Sequence, residues 1–261
     1  MKPNSKDIYR RLMILKYLII HSYSTFSSEY LKESAEHWTI TEKESFDKEL
    51  EKDMNKNVSE MKSLGIWEYT TKTEREFLSS FGSKINSVSL MNANWRMEAA
   101  IILMWSLNLI DKFPDINEQT NPELLKLVET RKIKLFSNKL TLRPNREILK
   151  MRDIIETWHW RVNTRRLIEN DFDFQPHATM RDAGIVSLDD VVQMTAKSAY
   201  SNGEIKEIID NDFVFKGKPF RDLNKEDFDE ATSIIIERHY ALNWLCGLAP
   251  KNNWDETPTD T

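Results

Sequence analysis

From Ala99 to Ile110 the chain carries no charged residue. Such a segment has to be covered on every side, by lipid or by protein. A membrane-crossing helix needs about 18 or more apolar residues, and this run of about 12 is too short. It is expected to form the central helix of a protein core, apolar all round. In this reading Trp95, Arg96 and Glu98 sit on its first turn, where the helix dipole alone favours the Glu98 carboxylate.

The rest of the chain has to supply the elements that wrap this helix. Its 261 residues include only 6 Gly and 8 Pro, with 40% hydrophobic and 30% charged residues. That composition is globular and helix-leaning, and so few glycines argue against a sandwich or barrel with many tight turns. Ser5 is placed to cap a first helix over residues 6–22. Thr41-Glu42-Lys43-Glu44 and Thr73-Glu74-Arg75-Glu76 each read as a capping box, in which a Thr hydroxyl and a Glu three residues on satisfy each other's amides. The first opens a largely solvent-facing helix that stops at Gly65. Pro144 suits the first position of a long helix to Asn170. Ser187 caps a helix to Tyr200. Asn224, with Asp227 three residues on, starts a last helix that Gly247 and Pro250 end. Residues 213–220 read as a hairpin turning at Lys216-Gly217, which Pro219 confines to an edge. The fold class expected is mainly α, an irregular multi-helix domain with one small β-hairpin near residues 212–221. A single domain over 1–261 is expected. Its alternative division is two helical halves, 1–136 and 145–261, joined by a linker at 137–144.

Charge and cysteine use narrow the function classes. A net charge of −5 does not fit a dominant phosphate-binding surface, so nucleic acid is not an expected partner. The one cysteine, Cys246, excludes an intramolecular disulfide and a Cys-based zinc cluster, and fits a reducing, cytoplasmic compartment. Arg10 and Arg11 precede an apolar stretch from Leu12 to Ile20, as in a secretory leader. Lys16 interrupts that stretch and no A-x-A pattern follows it, so an amphipathic helix is expected and no membrane association.

The polar residues that need explaining lie in otherwise apolar helices. In the last helix, Ile234, Ile235, Ala241, Leu242 and Leu245 mark a core face at helical spacing. Arg238 falls on that face, with Glu237 one position over. A buried guanidinium without a partner costs several kcal/mol, so Arg238 is expected to meet a carboxylate. The long helix holds Arg152, Asp153, Glu156, Trp158, His159, Trp160 and Arg161. Glu156 and His159 make an E-x-x-H pair, which supplies metal ligands in di-iron bundles. No second copy exists, so an ordinary solvated or capped pair is expected and neither metal nor cofactor. No G-x-S-x-G elbow, P-loop, G-x-G-x-x-G or H-E-x-x-H occurs.

The segments Asn94-Trp95-Arg96-Met97-Glu98-Ala99 and Leu103-Met104-Trp105-Ser106-Leu107 resemble a W-R-x-E-A…L-L-W-A-L core segment. Residues 237–245 resemble an E-R-H-x-A-L-N-W-L helix, and 254–261 a W-D-x-x-x-T-D-T terminus. Together they resemble the bacterial domain-of-unknown-function family 4272, which implies a bacterial cytoplasmic protein without an assigned activity. The resemblance groups a candidate polar cluster: Arg96, Glu98, Asp153, Arg161, Glu237, Arg238, Trp244, Trp254 and Asp260. The expected function is a non-enzymatic binding or interaction protein, with another protein as the expected partner. The alternative is an enzyme of unknown reaction that uses this cluster as an acid, base or anion clamp.

Overall fold

A computed structural model describes residues 2–35, 37–128 and 140–259. The protein is mainly α, with a small three-stranded antiparallel sheet. In chain order the helices are α1 (Ser5–Ser34), α2 (Ile40–Ser63), α3 (Lys72–Leu78) and α4 (Ser87–Ser106), then α5 (Asn145–Glu169), α6 (Ala178–Asp182) and α7 (Leu188–Ser201). Strands β1 (Ile208–Ile209), β2 (Asp212–Phe215) and β3 (Lys218–Pro219) precede α8 (Lys225–Leu245). Among the described residues no helix is long and apolar enough to cross a membrane.

Two helix starts differ from the expected ones for a common reason. Thr39-Ile40-Thr41-Glu42-Lys43-Glu44 and Thr71-Lys72-Thr73-Glu74-Arg75-Glu76 share the pattern T-x-T-E-x-E, so each contains two overlapping capping boxes. In both, the earlier Thr caps, Thr39 with Glu42 and Thr71 with Glu74. The earlier start adds two residues to the helix and keeps both capping bonds. Helix α1 is capped by Asn4, with Asp7 completing the box, and runs to Ser34, well past the expected residue 22. Helix α4 begins at Ser87, so Arg96 and Glu98 lie in its middle and the helix-dipole account of Glu98 does not apply. It ends at Ser106, and Asn108 turns the chain with a left-handed φ of 55°.

The chain divides into two compact units. The first comprises Met1–Pro114, Thr120–Pro144 and Asn243–Pro258; the second comprises Asp115–Gln119, Asn145–Leu242 and Thr259–Thr261. In the first unit α1 packs along α4, and Ile8, Leu12, Leu15 and Ile19 of α1 are buried, as is the uncharged run from Ala99 to Ser106 of α4. Helix α2 buries only Met54 and Met61, as its charged composition suggests. Residues 137–139 of the expected linker lie outside the described residues. Arg143 is held firmly: its amide donates to the Ser106 carbonyl at 2.9 Å and its Nε to the Trp105 carbonyl at 2.8 Å.

In the second unit α5 contributes the stripe Ile155, Trp158 and Val162, and α7 contributes Val192, Ala196 and Ala199. All four residues of β2 are buried, in a sheet of order β1-β2-β3. Two-residue turns at Asp210-Asn211 and Lys216-Gly217 have positive φ throughout, the geometry that matches the twist of a hairpin. Pro219 sits on an edge strand, where its missing N–H costs no ladder bond. Asn224 Oδ1 accepts from the Asp227 amide at 2.8 Å and caps α8.

Candidate functional site

The second unit contains a fully buried ion pair that the sequence reading only half anticipates. Arg161 projects from the apolar stripe of α5, and Asp212 opens β2. Two hydrogen bonds join them, Nε to Oδ1 at 2.7 Å and Nη2 to Oδ2 at 2.7 Å. The side chains are 2% and 0% exposed. Asp212 also accepts from the amides of Phe213 at 2.8 Å and Arg221 at 3.0 Å. Burial pushes its carboxyl up, but the hydrogen bonds and charge of Arg161, aided by those amides, outweigh burial and hold it below the ordinary carboxylate value. The pair joins α5 to the sheet. Trp158, one turn earlier, packs edge-on against Phe213 with centroids 5.0 Å apart.

Arg238 is also completely buried, but the acceptors that meet it include main-chain carbonyls. Its Nη1 donates to Asp115 O at 2.8 Å and its Nη2 to Glu118 O at 2.9 Å. It therefore fastens the segment Asp115–Gln119 to α8. The neighbouring side chains reinforce this: Lys206 reaches Asp115 at 2.6 Å, and Asn117 Oδ1 accepts from the Lys216 amide at 2.7 Å. Glu237 is half-buried.

His239 and His159 form a buried pair, with their Nδ1 atoms 2.9 Å apart. One ring has to donate at Nδ1 and the other accept there, so the two are held in different tautomers. Burial first, then the charges of His159 and Arg152, push His239 down to about 3. His159 is buried, so a solvated pair with Glu156 does not describe it. Glu156 instead takes Arg152 through two bonds of 2.7 Å, one turn away on the same helix. Asp153 is a solvent-facing carboxylate, 67% exposed, with Arg152 at 3.3 Å. Among the described residues no group of three or more His, Cys, Asp or Glu is placed to hold a metal ion.

In the first unit Glu98 is fully buried in α4, and Thr120 donates to it through its amide at 2.6 Å and its hydroxyl at 2.9 Å. Trp244 and Trp254 meet edge to face, centroids 5.3 Å apart, and Arg11 lies over Trp254 at 5.2 Å. Arg11 is itself paired with Glu74 at 2.6 Å, both side chains 8% exposed. A half-open cavity of about 240 Å³ lies between α3, the start of α4 and Asp255. Arg96, Lys84, Glu76 and Asp255 supply charge to its wall, and Phe77 and Ile85 supply apolar surface.

The candidate residues thus fall into separate local arrangements. Arg96, Glu98, Trp244 and Trp254 belong to the first unit, whereas Asp153, Arg161, Glu237 and Arg238 belong to the second. Asp260 lies outside the described residues. Sequence reasoning missed Asp212, the pairing of Arg11 with Glu74, and the meeting of the two histidines. Asp212 had a readable signal, a carboxylate opening an apolar strand. The histidine pair depends on two helices 80 residues apart and had none.

Architecture and sites together define a mainly α-helical protein of two compact units, each built around buried polar pairs. The model of the family described as Domain of unknown function (DUF4272) matches residues 3–181, and the chain belongs to that family. The match includes the Trp95 to Leu107 segment, while residues 237–245 and 254–261 lie beyond it. No curated protein and no solved structure matches the chain.

Proposed function

We propose that this is a binding protein of the bacterial cytoplasm without chemistry of its own, and that it holds a small polar ligand in the cavity beside α3 and α4. The observation that carries the reading is the cavity wall. Arg96 and Lys84 stand there with Glu76 and Asp255, above the apolar surface of Phe77 and Ile85. A concave site with a few convergent polar groups is the usual form of a small-molecule pocket. The other buried charges support the same reading from the opposite side. Arg161 and Arg238 are engaged within the protein, which suits structural roles better than catalytic ones. A cytoplasmic location is supported by the single buried thiol of Cys246, and a bacterial source by the family resemblance.

The test is a thermal-shift screen of polar metabolites on the intact chain, repeated on Ser89→Trp. Ser89 is a half-buried residue on the cavity wall, so an indole there is directed at the cavity space. Ligands that stabilise the native chain and lose their effect in Ser89→Trp are expected. A screen without a saturating ligand, or ligands indifferent to Ser89→Trp, would refute the reading.

A further inference from the structure

A second cleft in the first unit, also of about 240 Å³, lies beside the start of α1. Arg10, Arg11 and Lys251 stand on its wall against one carboxylate, Asp7, with Tyr69 and Trp244 as aromatic sides. Arg11 is neutralised by Glu74 at 2.6 Å, and Arg10 reaches Asp7 at 3.1 Å while stacking 3.6 Å over the Tyr69 ring. Both guanidiniums are thereby fixed in place. The charge left over belongs to Lys251.

Lys251 and Asn252 occupy the centre of a tight turn, closed by the Asn253 amide donating to Pro250 O at 2.9 Å. Their φ values are 51° and 61°. Asn tolerates the left-handed region, whereas Lys does not favour it. Lys216 adopts the same conformation because a hairpin demands it, but Lys251 has no strands on either side to impose it. Backbone strain of this kind is concentrated at ligand sites. The turn also buries Asn252 Oδ1, which accepts no hydrogen bond among the described residues, while Trp244 Nε1 donates to the Asn252 carbonyl at 3.3 Å. A cleft with surplus positive charge and an unused buried acceptor asks for an anion that also brings a donor.

We propose that this cleft binds a small oxyanion, carboxylate or phosphate, that carries a hydroxyl or amino donor, with Lys251 and Arg10 on the anion and Asn252 Oδ1 on the donor. The site is separate from the cavity beside α3 and α4, and Ser89→Trp leaves it open.

The experiment uses the full chain labelled at its indole nitrogens, with the Trp244 resonance assigned through Trp244→Phe. Inorganic phosphate, acetate and lactate are titrated against sodium chloride at equal ionic strength. Saturable movement of the Trp244 indole signal is expected with phosphate or with lactate, which separates the two anion sources. Lactate, which carries a hydroxyl, is expected to bind more tightly than acetate, which does not. Lys251→Gln is expected to weaken binding at least tenfold. Lys251→Gly removes the strained side chain, so it is expected to raise the melting temperature of the ligand-free protein while weakening binding as much. The proposal is overturned if no oxyanion moves the Trp244 signal beyond the chloride control, if acetate equals lactate, or if both Lys251 variants bind as the parent does.

Discussion

Replacing Asp212 by Ala should be among the most damaging single changes in this protein. It leaves the Arg161 guanidinium, 2% exposed, without the carboxylate that takes its Nε and Nη2. Breaking a buried pair by removing one partner costs about 3–5 kcal/mol, because the remaining charge is neither solvated nor compensated. The Phe213 and Arg221 amides lose their acceptor in the same step. For a chain of this size about 1 kcal/mol corresponds to about 2–4 °C, so the melting temperature should fall by about 6–20 °C. Urea unfolding followed by far-ultraviolet circular dichroism gives the free energy directly. A second variant separates the charge from the amides. Arg161→Met with Asp212→Asn removes the buried cation and keeps an oxygen for one of the two amides, so it should recover part of the loss. If Asp212→Ala costs less than about 1 kcal/mol, within the range of an exposed pair, the pair is not the clamp between α5 and the sheet that its geometry implies.

The buried histidines make stability depend on pH. His239 is neutral in the folded protein down to about 3, whereas in the unfolded chain it takes a proton near 6.5. Stability is therefore unaffected above pH 6.5 and falls as pH drops from 6.5 towards 3, by up to about 5 kcal/mol at the bottom of the window. His239→Asn, which keeps a polar group where Nδ1 lies, should flatten that slope in urea midpoints, and an unchanged slope would assign it elsewhere. Asp212 acts lower: its stabilisation is complete above the ordinary carboxylate value and is lost only as pH falls through its depressed one. Deleting the last four residues removes the Pro258 carbonyl that Asn243 Nδ2 reaches at 2.8 Å. A loss of about 1–3 kcal/mol is expected, and an unchanged melting temperature would contradict it.

Much of the helical scaffold is legible because its signals are local. The charge-free segment, the Pro at the start of α5, the Ser187 cap and the Asn224 cap each depend on residues within one or two turns. The capping boxes show where local reading stops. In T-x-T-E-x-E both boxes satisfy the same rule, and what favours the earlier one in α3 includes Arg11, 63 residues away. Glu74 serves the Thr71 amide with one oxygen and Arg11 with the other. Arg238 was readable as a buried cation from the apolar spacing around it, and Arg161 only as a member of the candidate polar cluster. Of the acceptors, Asp212 had only a local signal, a carboxylate opening an apolar strand, and the two loop carbonyls that meet Arg238 had none, because a loop carries no periodic signature.

The family match ends at residue 181, which invites the view that the matched stretch is a folding unit. The contacts argue otherwise, and a chain cut after Arg181 tests it. In the second unit the cut leaves α5 without Phe213 and Phe220, the rings against which Trp158 packs at 5.0 and 6.2 Å. It also strips Arg161 of Asp212 and His159 of His239. In the first unit it removes Trp254, 1% exposed, and Trp244, 2% exposed. Loss of a buried Trp alone costs about 3–5 kcal/mol, a large share of the roughly 5–15 kcal/mol that holds a typical domain together. Both units thus lose core from segments far along the chain. The fragment is expected to retain helical circular dichroism, since α1 and α4 have their own caps and apolar faces, but to unfold without a cooperative transition and to bind a hydrophobic dye. A sharp, reversible melt of the fragment would mean that residues beyond 181 are additions to a fold already complete, and that the buried pairs reaching past that point refine the structure without being required for it.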